Sequence, residues 1–155
     1  MRTHRSAFTL VELLVVVVIL GILAAMVAPR FSTATSDARS SATQSTLAGV
    51  RSAIATFRMN AVIQGDDPFP SLTQLTDGTV IKFELPANPY SGVSGVQAVS
   101  ENQALLRSVV SESSAGWNYF VDNNDNPPVA IFYANSDEAS AEQSDSGGLK
   151  GANEL

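Results

Sequence analysis

From Phe8 to Ala28 the chain reads FTLVELLVVVVILGILAAMVA, and its only ionisable side chain is Glu12. As a helix rising about 1.5 Å per residue, this run reaches roughly 30 Å, the depth of a hydrocarbon core. Its valines are weak helix formers in water. In lipid the backbone has no solvent to bond, so a spanning segment must be helical. Arg2 and Arg5 precede the run and favour a cytoplasmic N-terminus, with everything after Pro29 outside. Arg30 on the far side reduces that bias.

Three readings fit such a segment. One is a conventional cleaved signal peptide, with Leu13–Ala25 as its apolar core and a cut near Ala24 or Ala25. That reading makes the remainder a secreted binding domain. The second is a plain membrane anchor. The third is a helix that is processed and then packed against copies of itself. Glu12 separates them. A bare carboxylate in an apolar stretch costs on the order of several kcal/mol and calls for a partner. Neither a signal peptide nor a simple anchor has a use for it.

The run Ala7–Phe31 resembles the leader and N-terminal helix of type IV pilins and type II secretion pseudopilins. The features that carry the resemblance are a short basic leader, a small residue, then Phe8 followed by Thr-Leu-x-Glu-Leu. The resemblance implies a cut between Ala7 and Phe8 by a prepilin peptidase on the cytoplasmic side, and N-methylation of the new Phe8 terminus. It implies that Glu12 is the assembly acid and that Pro29 kinks the helix. It also implies partners: other filament subunits, homo- or hetero-oligomeric, and an inner-membrane assembly platform. One departure is Ala7, where the family usually has Gly. Within such a family a minor tip subunit is a further alternative.

Elementary chemistry gives the motif a purpose. Cleavage before Phe8 exposes an α-amine that is positively charged near neutral pH. Glu12 lies four residues on, and in a helix it shares a face with residue 8. It can pair with its own amine or with a neighbour's. Removing one partner of such a buried pair costs roughly 3–5 kcal/mol. Gly21 allows close helix approach or local melting. Pro29 cannot donate to the Ala25 carbonyl and is expected to bend or loosen the helix.

Beyond the apolar run, helical spacing continues through Phe31, Ala34, Ala38 and Ala42, then Leu47, Val50, Ile54, Phe57 and Ala61. This predicts one helix reaching about Met59–Ile63, small-faced in its first half and larger-faced in its second. Gln64–Pro70 is a stop and loop. A short helix over Ser71–Leu75 is capped by Ser71. Strands are expected at Thr79–Leu85, Val96–Val99, Gly116–Val121 and Val129–Ala134, and Glu101–Ser111 is a short helix or a loop. The third and fourth strands form an antiparallel hairpin, with Trp117, Tyr119, Val121, Ile131 and Tyr133 sharing one face.

The fold class expected is therefore α+β, a long N-terminal helix packed on a small antiparallel sheet, as in pilins. The domain division is leader 1–7, transmembrane and assembly helix 8–29, periplasmic head 30–136, and an acidic tail 137–155 that reads as disordered.

Composition narrows the chemistry. There are 9 Lys+Arg against 15 Asp+Glu, a net charge of −6, and without a basic cluster no nucleic-acid partner is expected. There is no cysteine, and the single histidine, His4, lies in the leader. No hydrolase triad, zinc motif or phosphate loop is present, so the chain reads as a non-enzyme without cofactors. One cation alternative stands: Asp122, Asn124 and Asp125 offer alternating oxygen ligands of the kind calcium takes. That loop lacks the Gly and the later Glu of an EF-hand, and Asx turns explain it more simply.

Overall fold

A computed structural model describes residues 8–155. The chain divides into two units, Met1–Thr35 and Ser36–Leu155. Helix α1 runs over Leu10–Gln64. It stops where Gly65 turns left-handed at φ 79°, and the Asp66 amide donates to the Ala61 carbonyl at 3.0 Å. That six-to-one bond with a glycine beyond the last turn is the Schellman ending expected of a helix meeting Gly-Asp-Asp-Pro.

In the second unit, the apolar stripe of α1 and a small sheet make the core. Leu47, Val50 and Ile54 of α1 pack with Leu75, Trp117, Tyr119, Phe132 and Ala134. Helix α2 (Leu72–Thr76) begins with the expected Ser71 cap: Ser71 Oγ accepts from the Gln74 amide, and Gln74 Oε1 accepts from the Ser71 amide. Helix α3 (Glu101–Leu105) repeats the device with Ser100 and Gln103.

The strands are β1 (Val96–Ala98), β2 (Trp117–Asp122) and β3 (Val129–Ala134), in the order β1-β2-β3. The β2–β3 hairpin is antiparallel as expected, but β1 runs parallel to β2, so the sheet is mixed rather than antiparallel. The connection between β1 and β2 passes through α3, and a crossover of that length permits the parallel direction.

Three further expectations are corrected. Thr79–Leu85 is not a strand. Asp77 Oδ1 takes the Thr79 amide in a turn, and the segment seats Val80 and Ile81 in the core without a pairing partner. The shared aromatic face also differs. The register pairs Trp117 with Ala134, Tyr119 with Phe132 and Val121 with Ala130. Adjacent positions point to opposite faces, so Phe132 and Ala134 join Trp117, while Ile131 and Tyr133 lie on the other face with Asn118. Both faces are covered there. Tyr133 is buried, and its hydroxyl reaches the Gln103 and Ser108 carbonyls beside α3.

The acidic tail is ordered. Strands β4 (Ala139–Gln143) and β5 (Leu149–Gly151) form an antiparallel hairpin, followed by a 3-10 turn over Ala152–Glu154. The small-residue face of α1 receives it. Ser40 Oγ accepts from the Ala141 amide at 3.2 Å, Gln44 bonds Glu142, and Arg39 pairs with Glu138 at 3.4 Å. Low hydrophobicity argued for disorder, but Ala and Ser side chains let the two backbones approach, and Ser140 and Ala152 are fully buried.

Candidate functional site

In the first unit the stretch Leu10–Val27 is a helix with none of its surface buried. Thr9 caps it: its Oγ1 accepts the Glu12 amide at 3.2 Å, and its carbonyl accepts the Leu13 amide at 3.2 Å. The pattern Thr-x-x-Glu is the signature of a capped helix start, and it was available in the sequence, where Thr9 carried no assigned role. The cap places Glu12 in the first turn, where the exposed amides of a helix favour a negative charge.

Phe8 lies ahead of this cap, outside the helix. Helical spacing therefore does not bring Phe8 and Glu12 onto one face in the uncleaved chain. The expected pairing needs either one more turn of helix formed after cleavage or an amine from another chain. Ala7, the other side of the expected cut, lies outside the described residues.

The window Leu10–Val27 is long and apolar enough to cross a membrane, and none of it is buried within the chain. Leu10 is 81% exposed and even Val27 is 46% exposed. Water does not tolerate such a continuous apolar surface, so lipid or other protein must cover it. Gly21 lies inside this window, and a side chain there would meet nothing within 4 Å. No contact inside the chain requires a glycine at that position. The helix passes through both Gly21 and Pro29 without ending.

The calcium alternative has a local explanation. Asp122 Oδ1 accepts the Asn124 amide at 2.8 Å, and Asp125 Oδ1 accepts the Asn126 amide at 2.7 Å. Asn123 is bonded to both the amide and the carbonyl of Phe69. The Asx side chains thus serve the β2–β3 loop itself. Among the described residues, no group of three or more His, Cys, Asp or Glu side chains is placed to hold a metal ion.

Comparison with known proteins adds one finding. Residues 2–28 match the family model described as the prokaryotic N-terminal methylation motif. The chain matches no curated protein and no solved structure. The matched stretch holds the basic residues, Phe8, Thr9, Glu12 and the apolar run, and in this segment the chain is similar to prokaryotic N-terminal methylation motifs.

Proposed function

We propose that the chain is a structural subunit of a type IV pilus or a type II secretion pseudopilus. In this reading, prepilin peptidase removes residues 1–7 and Phe8 becomes the N-methylated terminus. The precursor sits in the inner membrane with Arg2 and Arg5 cytoplasmic and the head periplasmic. An assembly platform then moves subunits from the bilayer into the filament.

The observation that carries the reading is an uncovered apolar helix with one acid in its capped first turn. Lipid satisfies the apolar surface but not the carboxylate. A bundle of such helices satisfies both, because each Glu12 meets the amine of a neighbour, and the pairing sets the stagger between subunits. Gly21 is compatible with the same reading, since a glycine lets a partner helix approach closely. Glu12 also favours a place in the shaft over the tip. The chain's role is mechanical, with neither catalysis nor a cofactor. The calcium alternative is tested by isothermal titration of the full chain in detergent, where no heat of binding is expected.

The decisive measurement is the mass of the mature N-terminus isolated from native cells. N-methyl-Phe8 is expected. A chain still beginning at Met1, or one beginning near Ala25 or Met26 as a signal peptide would leave it, overturns the proposal.

A further inference from the structure

Thr9 decides where helix α1 begins. In an α-helix each amide donates to the carbonyl four residues earlier, so a helix that included Phe8 would join the Glu12 amide to the Phe8 carbonyl. The Glu12 amide instead donates to Thr9 Oγ1 at 3.2 Å. The helical ladder opens one step later, with the Leu13 amide donating to the Thr9 carbonyl at 3.2 Å. The Thr9 hydroxyl thus takes the donor that would otherwise wind Phe8 into the helix, and α1 starts at Leu10. Phe8 is left outside it and 81% exposed.

This boundary lies inside the stretch that matches the N-terminal methylation motif, residues 2–28. Proteolysis acts on the opened form of a segment, and its rate follows the population of that form when opening and closing are fast. A peptide bond wound into a helical turn has to unwind before a peptidase can grip the chain around it. The next side chain upstream that could cap the helix is Ser6. A helix begun there would enclose the Ala7–Phe8 bond in its first turn. The contest between the two caps therefore sets how often that bond is accessible.

We propose that Thr9 is a positioning residue for processing: its cap holds Phe8 out of the helix, so that the peptidase meets an unwound chain at the cut. The inference rests on the prepilin reading given above and deepens it. The step itself is a hydrolysis. One water is consumed, the Ala7 carbonyl becomes a carboxylate, and the Phe8 nitrogen leaves as an ammonium. Thr9 takes no part in that chemistry. It acts on the conformation of the substrate, through the Glu12 amide.

The test compares Thr9→Val and Thr9→Asn with the parent, as full-length precursors followed by pulse-chase in native cells. Valine matches threonine in shape but carries no acceptor. Asparagine differs in shape and caps a helix at least as well. The three residues have nearly equal helix propensity, so the comparison isolates the cap. Loss of a cap shifts a helix end by roughly fivefold. Thr9→Val is accordingly expected to be cleaved about two- to fivefold more slowly than the parent, and Thr9→Asn at a rate within about twofold of it. Cleavage of Thr9→Val at the parent rate overturns the proposal. So does equal slowing of both variants, which would mean that the peptidase reads the Thr9 side chain directly.

A second readout is independent of the peptidase. The Phe8 Cα chemical shift of the uncleaved full chain in detergent is expected to move toward its helical value in Thr9→Val and to stay in place in Thr9→Asn. An unmoved shift in Thr9→Val removes the cap as the cause. Failure of the parent itself to be cut before Phe8 is a separate result, and it refutes the prepilin reading together with this one.

Discussion

Single residues separate assembly from folding in this chain. Glu12 sits at the capped start of an uncovered helix, and its backbone amide rather than its carboxylate makes the cap bond. Glu12→Val is therefore expected to insert into membranes and fold as well as the parent, while filament yield falls by tenfold or more. The latter follows from a buried amine left unpaired at roughly 3–5 kcal/mol. Quantifying sheared filaments against membrane-bound subunit checks it, and parent-level filaments from the variant would remove the role. Trp117 is the converse case. It is fully buried, stacks on Phe132, and donates Nε1–H to the Pro86 carbonyl at 2.9 Å. Trp117→Ala is expected to lower stability by about 3–5 kcal/mol in denaturant unfolding. Gly116, beside it, has a reason a sequence cannot show: a Cβ there would lie 2.0 Å from the Val93 carbonyl oxygen.

Tyrosines set the alkaline limit. Burial pushes the Tyr119 hydroxyl well above its ordinary range, and the hydroxyl donates to the Pro70 carbonyl at 2.7 Å. Burial also raises Tyr133. Both are acids whose ionisation the fold resists. Their contribution to stability is complete below the unfolded tyrosine value of about 10 and is lost as pH rises above it. Absorbance titration should show phenolate from these two residues appearing together with loss of the near-ultraviolet dichroism. Reversible ionisation of Tyr119 in a still-folded head would contradict this account.

Among the elements, the β4–β5 hairpin separates composition from structure most clearly. A Ser- and acid-rich segment with no aromatic residues reads as solvated, but it lies on α1 through Ser40, Gln44 and Arg39. Ending the chain after Ser136 removes these bonds together with the buried Ser140 and Ala152. With about 1 kcal/mol for each buried hydrogen bond lost and less for the exposed ion pair, the thermal midpoint should drop by several degrees in a calorimetric scan. An unchanged midpoint would return the tail to disorder. The β2–β3 hairpin teaches a narrower lesson. Its two strands were legible as runs of aromatic and β-branched residues. Its register was not, because Asn118 and Tyr133 are as buried as Trp117 and Phe132, and no alternation of polar and apolar residues marks the core side. What occupies the far face is a polar lattice. Asn118 Nδ2 donates to Asn135 Oδ1 at 2.9 Å, and Asn135 Nδ2 donates to the Val110 and Ala115 carbonyls, both at 2.8 Å. Buried amides of this kind read as surface residues until their partners are known.

At the scale of the whole molecule, the two units pose opposite solvent demands. The unit Ser36–Leu155 has its own core of aromatic and aliphatic residues, whereas Leu10–Val27 has none of its surface buried. A chain beginning at Ser36 is expected to remain in the aqueous phase of a detergent phase separation and to unfold cooperatively. The full chain should partition into the detergent phase. Partition of the shortened chain into detergent would mean that the head, too, carries a membrane-seeking surface.

The sequence by itself determined the apolar run, the lone acid within it, the helix that follows and the two main strands. Each of these rests on periodicity, capping chemistry or length, which act between residues close along the chain. Only the tertiary structure decided the strand directions, the sheet register and the ordered acidic hairpin. Those depend on which distant segments meet, and a one-residue slip in pairing reverses which side chains face the core.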